Sequence, residues 1–459
     1  MSAAGSARRA RSVPPGMVPV SIVAGGFFIG SAVYSVLEPS RPDTLRFIRP
    51  AYALLDPRFS PAGIVAVLIG AALAFFAYRA ASSHRPVHRV LPVAVLGMLT
   101  FAAAVVTING SSSAFSEPIG RTEGLSDYYA DVELVDRFGA RGISARWAEA
   151  VNDAESIHTV SHPPGPLLLL VAIRGLFGSG DAPIVLVQAM LSVLVLVPAW
   201  LLARRLVGAR AALVAVLLLA VAPSPVLHTF LSMDAVYATM LVGAMWLLIR
   251  GVGDGGTRAR AALAGLVVGL ITLFTYAAAF VAVFGVLWGL WTRGRAALQP
   301  LLAAAAGGGA ALLMLWLAFD FNLFSVYAAS RAELHEFVNR REFLYGLIAS
   351  PAAWLVFGGL PLAGLAVHEL LKHRPPYLLA LLVPLTVFYV LPWSVTGIIP
   401  LETERTLQFA YPLAAAAAGA AFVRWERARD APQDRTLALL VGVTAAQTIV
   451  MEAVFFFFW

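Results

Sequence analysis

Apolar residues along this chain gather in runs of about 15 to 22, separated by short polar connections. A helix of that length crosses about 30 Å of hydrocarbon. The short alternating segments of a membrane barrel are absent from the pattern. The expectation is an all-α, polytopic integral membrane bundle of about 13 transmembrane helices. Spans are predicted near Met17–Leu37, Pro61–Tyr78, Val90–Ile108, Pro183–Ala203, Ala211–Leu227, Ala235–Ile249, Ala261–Thr275 and Ala277–Trp291. Five more fall near Leu301–Phe319, Ala352–Val367, Tyr377–Leu391, Leu407–Phe422 and Ala438–Phe458. The tightest connection is the one around Tyr276. Residues 1–459 read as one transmembrane unit with no separate soluble domain.

Three polar intervals break the rhythm: Asn109–Pro183, Asp320–Pro351 and Trp393–Arg405. A fourth, Glu38–Ser60, is proline-rich and less distinctive. The first is densely acidic, with Glu123, Asp127, Asp131, Glu133, Asp136, Glu149, Asp153 and Glu155. Within it Ser126 is a candidate N-cap, and Tyr128, Tyr129, Val132 and Val135 form an apolar stripe at helical spacing. Asp127 and Asp131 are four apart and share another face. The pattern is that of an interfacial helix with tyrosines at headgroup depth. The interval then runs through Ser161-His162-Pro163-Pro164-Gly165-Pro166. Pro166–Phe177 follows, apolar but too short for a span and interrupted by Arg174, as suits a helix lying along the membrane.

Composition agrees: 59% of residues are apolar and 13% charged, with a mean hydropathy of +0.80. Orientation follows from arginine. With the N-terminus inside, about 20 of the 33 basic residues fall in short cytoplasmic loops, as the positive-inside rule requires. About 20 of the 26 acidic residues fall outside, which marks the face that carries chemistry. The net charge of +7 is thereby a topology signal, with no case for nucleic-acid binding. Arg8, Arg9 and Arg11 ahead of the first run look like a signal peptide, but the run is long and a dozen more follow, so a retained anchor is expected. One lysine against 32 arginines, with heavy alanine use, suggests a GC-rich bacterial genome and hence a bacterial plasma membrane. Without cysteine, no disulfide or thiolate chemistry is available.

Asp127 and Asp131 are the candidate general bases, since a carboxylate at the membrane surface can take a proton from an acceptor hydroxyl. Each also has a plain reading: helix-dipole stabilisation for Asp127 and a solvated face for Asp131. His162 is held by two prolines that force an extended approach. It can sit near a phosphate or sugar, or simply end a turn. His158 lies four residues earlier, so a divalent metal site is conceivable, although the spacing is not diagnostic. Asp234, in Ser232-Met233-Asp234-Ala235, sits at the external mouth of a span, where it can also serve as an N-terminal acid. Glu402, Glu404 and Arg405 precede another span. Arg405 departs from the inside bias and suits a phosphate. The stretch Asp320–Tyr327, followed by Arg331, Glu333, His335 and Arg341, can line a groove or form a solvated surface helix.

In this order the motifs resemble the GT-C superfamily of polyprenyl-phosphate-dependent glycosyltransferases, near bacterial proteins similar to protein mannosyltransferases and aminoarabinose transferases. The resemblance rests on the acidic loop, His162-Pro163-Pro164-Gly165 and the short helix ending Leu176-Phe177-Gly178. It continues through Ala203-Arg204-Arg205-Leu206-Val207-Gly208 and Ser232-Met233-Asp234-Ala235. Many members carry Asp-Glu where this chain has Asp127-Tyr128, which leaves the choice between Asp127 and Asp131 open. The resemblance implies transfer of a sugar from a polyprenyl-phosphate donor to an extracytoplasmic acceptor hydroxyl, with inversion. The acceptor would be a cell-envelope glycan, lipid or protein. Arg405, with His162, would hold the leaving phosphate. The competing readings are a transporter or flippase of lipid-linked sugars, a polymerase or ligase using diphosphate-linked glycans, and a non-catalytic scaffold. Polar residues gathered outside rather than at the midplane speak against transport.

Overall fold

The structure, a computed structural model, describes residues 14–37, 47–48, 53–55, 57–58, 60–83, 87–108, 125–178, 180–334, 340–390, 403–429 and 433–457. Helices form at each apolar run that the sequence marks. In order they are α1 (Met17–Leu37), α2 (Ala62–Ser82), α3 (Val87–Val106), α4 (Leu125–Ala130), α5 (Val132–Ala145), α6 (Trp147–Asn152) and α7 (Ile157–Ser161). Next come α8 (Gly165–Phe177), α9 (Asp181–Val193), α10 (Leu196–Val207), α11 (Ala209–Leu219), α12 (Pro223–Leu227), α13 (Met233–Val252), α14 (Arg258–Ile271), α15 (Ala278–Arg293) and α16 (Leu298–Phe319). The chain continues with α17 (Leu323–Leu334), α18 (Arg340–Phe357), α19 (Leu360–His373), α20 (Pro376–Val390), α21 (Thr403–Thr406), α22 (Tyr411–Arg427) and α23 (Asp434–Val454).

Among the described residues six helices are long and apolar enough to cross a membrane, or seven if one bent pair counts, against the thirteen expected. Part of the difference has a structural cause. Several expected spans are short helices: α11 has 11 residues and α14 has 14. At 1.5 Å per residue, 11 residues reach only about half of the hydrocarbon thickness. Conversely, Ala278–Phe319 counts once although it covers two expected spans in 42 residues, with a 3-10 turn at Gly294–Ala297 inside it. The expected span Ala352–Val367 is broken. Its two halves, Ala349–Phe357 and Leu360–His373, meet at 117°. Gly359 takes φ +88°, open to glycine at little cost, and Pro361 starts the next helix at its first turn. The last expected span stops at Val454. There the phenylalanine run Phe455–Phe457 turns extended as β3 and pairs with β2 (Ala53–Leu55), which pairs with β1 (Phe47–Ile48). The all-helical expectation thus gains one small antiparallel sheet.

Glycine and alanine set the packing of the spans. α14 and α16 approach so closely that a Cβ on Gly265 would lie 1.8 Å from the Ala304 carbonyl oxygen, and one on Gly307 would lie 2.0 Å from that of Ala262. Gly269, one GxxxG step along, faces Gly308 in the same seam. The alanine tract Ala414–Ala421 buries α22 in the bundle in the same manner, with Gly419 against the Ala211 backbone. Large apolar side chains point outward instead on α2, α9 and α16, including Ile64, Leu68, Phe75, Leu302, Leu313 and Leu317. That distribution is a membrane protein's: large apolar side chains face outward and small residues fill the seams.

Overpacking the α14–α16 seam gives a direct check. Gly265→Val should destabilise the detergent-solubilised protein by about 1–3 kcal/mol or more, because the clash is with backbone. Gly309→Val, on the partner helix α16 but with nothing within 4 Å of its Cβ, should leave the melting temperature within a degree or two of the parent. Equal losses in the two would refute the seam.

Candidate active site

The polar interval folds as a set of short helices laid across the mouth of α13. The expected single helix from Ser126 through Val135 is split: α4 ends at Ala130 and α5 begins at Val132, with Asp131 in the turn between them. Ser126 therefore lies inside α4 rather than capping it. Asp131 is buried, and its side chain does not cap its own helix. Its Oδ1 accepts the Glu155 N–H at 2.9 Å and its Oδ2 accepts the Ser156 N–H at 3.1 Å. Both carboxylate oxygens are thus committed to backbone. Ser156 in turn caps α7, where its Oγ accepts the His158 N–H at 3.1 Å. Asp127 lies in the middle of α4; its side chain is outside the described residues, as is Glu402.

α8 begins at Gly165 in the His-Pro-Pro-Gly turn. The Gly165 N–H donates to the Leu273 carbonyl at 2.8 Å. A Cβ there would lie 2.4 Å from that oxygen, so only glycine allows the approach. The tight corner around Tyr276 is thereby the docking point for the motif, and Tyr276 itself donates to Ser330 Oγ at 3.0 Å. Further along α8, Arg174 Nη2 donates to both carboxylate oxygens of Asp136 at 2.8 and 2.7 Å, tying α8 to α5. The Asp320 segment closes on the same assembly through Arg141 (2.8 Å) and through Trp147 Nε1, which donates to Ser330 Oγ at 3.1 Å.

Four expected residues converge from three stretches of chain. Ser232 caps α13: its Oγ accepts the Asp234 N–H and donates to Asp234 Oδ2, both at 3.1 Å. Asp234 Oδ2 lies 3.3 Å from Arg405 Nε, and both side chains are at least nine-tenths buried. Arg405 Nη1 donates to His158 Nε2 at 3.1 Å, so neutral His158 carries its proton on Nδ1. His162 Nδ1 lies 3.1 Å from the His158 carbonyl, which can only accept, so Nδ1 is the protonated nitrogen there. His162 Nε2 is left facing Asp234 Oδ1 at 3.8 Å. Glu404 is fully buried beside Arg405, and its carbonyl accepts the Ser224 hydroxyl.

Other members were not singled out by sequence. Tyr128, read as part of an apolar stripe, accepts the Tyr237 hydroxyl at 3.2 Å, and both rings pack around His162 at centroid distances of 6.0 and 5.3 Å. His228 is buried and donates to the Ser224 carbonyl at 2.8 Å. Its signal in the sequence was faint: a histidine four residues after a serine, in an otherwise apolar Pro-Ser-Pro-Val-Leu stretch.

Burial dominates the electrostatics. It pushes His158 well below the ordinary histidine value, and the Arg405 charge adds to the effect. His162 is also lowered, with burial outweighing the opposing pull of Asp234. His228 is pushed down to about 4, again by burial first. The three imidazoles are neutral at pH 7, which leaves Arg405 paired with Asp234, with the carboxyl-bearing Glu404 next to it in the chain. Such a guanidinium can take an anionic oxygen without first shedding a hydration shell. Among the described residues no group of three or more His, Asp or Glu side chains could hold a metal ion. The donor set also fits one poorly, since His158 Nε2 already faces a guanidinium.

Residues 161–319 match the family profile described as Dolichyl-phosphate-mannose-protein mannosyltransferase. The matched stretch includes His162 and Asp234. The fold is similar to that of ArnT from Cupriavidus metallidurans in the apo state, at 17% identity over 78% of this chain and 75% of that one, with a TM-score of 0.50. A second structure of ArnT from that organism, bound to undecaprenyl phosphate, aligns over 78% and 76% of the two chains at 17% identity and a TM-score of 0.46. The Archaeoglobus fulgidus oligosaccharyltransferase in complex with zinc and sulfate aligns over 78% of this chain and 52% of its own, at 16% identity and a TM-score of 0.41. No curated protein matches the chain. The resemblance drawn from the motifs is borne out, and with it the assignment to a multi-pass membrane glycosyltransferase.

The three depressed histidines fix the sign of a pH effect. The unfolded chain binds protons near pH 6.5 that the folded chain refuses, so stability is full above that value and falls as pH drops. With His228 held near 4, that residue alone should contribute roughly 3 kcal/mol of loss by pH 4. The melting temperature in detergent should therefore decline between pH 7 and 5, and His228→Gln should flatten the decline. A profile unchanged by that substitution would contradict the assignment.

Proposed function

We propose that this glycosyltransferase moves a sugar from a polyprenyl-phosphate donor to an acceptor hydroxyl outside the cytoplasm, in one inverting displacement. The observation that carries this reading is the buried Arg405, held by Asp234 and His158 at the N-terminus of α13. A phosphate arriving there meets a guanidinium and the positive end of a 20-residue helix. The acceptor oxygen attacks the anomeric carbon and the bond from that carbon to the phosphate oxygen breaks. Polyprenyl phosphate leaves, its growing charge balanced by Arg405 with His162 at its side.

The acceptor's proton goes to Asp127. Both oxygens of Asp131 receive backbone N–H groups, which suits a positioning residue and ill suits a base. Asp127, one turn earlier on α4, is the remaining carboxylate of the pair. His158 and Asp234 act by orienting Arg405, and Glu404 and Glu402 belong to the segment that delivers it. The acceptor is a glycan, lipid or protein of the cell envelope. Topology follows the arginines: a cytoplasmic N-terminus and the site outside, in a bacterial plasma membrane.

Membranes holding the full chain, given a labelled polyprenyl-monophosphate sugar, should form an acid-stable glycoside with no second compartment required. Asp127→Asn should lower the rate by about 10²–10⁴-fold with an unchanged melting temperature. Asp131→Asn should lower rate and melting temperature together, by loss of the Glu155 and Ser156 bonds. Full activity in Asp127→Asn overturns the base assignment. Turnover of a diphosphate-linked donor alone would overturn the donor class. Movement of the donor across the bilayer without product would favour the flippase.

A further inference from the structure

A cavity among the described residues lies well away from this site. It has a volume of about 650 Å³ and lies at the other end of the bundle. α13 runs from Asp234 at the site to Val252 beside the cavity, and 20 residues of helix span about 30 Å. The ends of α10, α13, α15 and α22 and the start of α20 all meet here, which on the arginine topology is the cytoplasmic end of the bundle.

The lining divides by chemistry. Leu206, Val207, Ile249, Ala420 and Val423 make an apolar wall. Arg205, Arg424 and Arg427 stand at the rim. Arg424 is paired with the buried Glu369 and Arg205 donates to the Asp254 carbonyl at 2.7 Å. Arg427 makes no hydrogen bond or ion pair among the described residues. Counting Glu369 and the Asp254 carboxylate, the rim keeps a net positive charge. Two donors complete the lining: the Tyr377 hydroxyl and Trp288 Nε1 are both shielded from solvent and both without a hydrogen-bond partner among the described residues. Tyr377 is 95% buried, from its 5% exposure. Buried donors of this kind are rare unless something in the cavity accepts from them.

We propose that this cavity is a binding site for the phosphate headgroup of a net anionic membrane lipid, separate from the site of sugar transfer. The arginine forks and the two orphaned donors take the phosphate oxygens, and the apolar wall takes the first carbons of the chains. Tryptophan, tyrosine and arginine together at one membrane boundary suit a headgroup better than a free anion, which has no use for the apolar wall. The inference stands apart from the glycosyltransferase reading, because nothing in it requires donor or acceptor.

Native mass spectrometry of the purified full chain, titrated with phosphatidylglycerol or phosphatidylcholine, tests it. Phosphatidylglycerol should bind tighter, and Arg427→Gln should weaken it by about tenfold. Tyr377→Phe should weaken it by a smaller factor. Arg260→Gln removes the same charge from α14 outside the cavity and should bind as the parent does, which separates a site from bulk electrostatics. The proposal is overturned by equal binding of the two lipids, by equal effects of Arg427→Gln and Arg260→Gln, or by inorganic phosphate raising the melting temperature as much as the lipid does.

Discussion

The structure at the mouth of α13 depends on keeping one guanidinium out of water. A buried charge is tolerated only when it is paired and its donors are met. Arg405 obtains that from two directions. Asp234 faces its Nε from a capped helix start, and His158 accepts from its Nη1. Neither partner is near it in sequence, so the requirement acts as a long-range constraint on how the external helices dock. His158 can be where it is because Ser156 caps α7, and Ser156 is held because Asp131 receives its N–H. A carboxylate more than 270 positions away from the arginine thus fixes the imidazole that orients it.

The membrane part supplies the rigid floor. Helices that touch through glycine and alanine backbones have little freedom to slide, and α14 is locked to α16 in that manner. The corner that follows α14 presents the Leu273 carbonyl to Gly165. Since Gly165 ends the proline turn that begins at His162, the seam between two spans sets the position of a site residue. Gly358-Gly359 does the same service on the other side: the break there makes room for the Tyr411 ring at the start of α22, just after Arg405.

Much of this was legible in the sequence, and the parts that were not share a physical cause. Apolar runs marked each long helix, because hydrocarbon imposes one pattern on any span. His162 stood out for the prolines after it, His158 for its spacing from His162, and Asp234 and Arg405 as charges at the starts of spans, and they do meet. The count of spans did not transfer, since hydropathy cannot distinguish a full crossing from an 11-residue helix buried among others. Asp127 and Asp131 looked alike at helical spacing. The helix that carries Asp127 ends just before Asp131, and nothing in periodicity reports a turn that is held by backbone N–H groups 24 residues away. Tyr128, Tyr237 and His228 passed as apolar or incidental because their partners lie on other helices.

The two ends of the bundle differ in a way that follows from their charges. At the α13 N-terminus acids and arginine compensate each other inside a closed polar core, and neutral imidazoles fill the space between. At its C-terminus the arginines outnumber the acids and stand around open volume. Compensated charge favours closure, because each ion carries its counter-ion into the low-dielectric interior. Uncompensated like charge resists it, because closing the gap would bring guanidinium groups together without an anion between them. The same helix therefore ends in a packed site on one side and a cavity on the other.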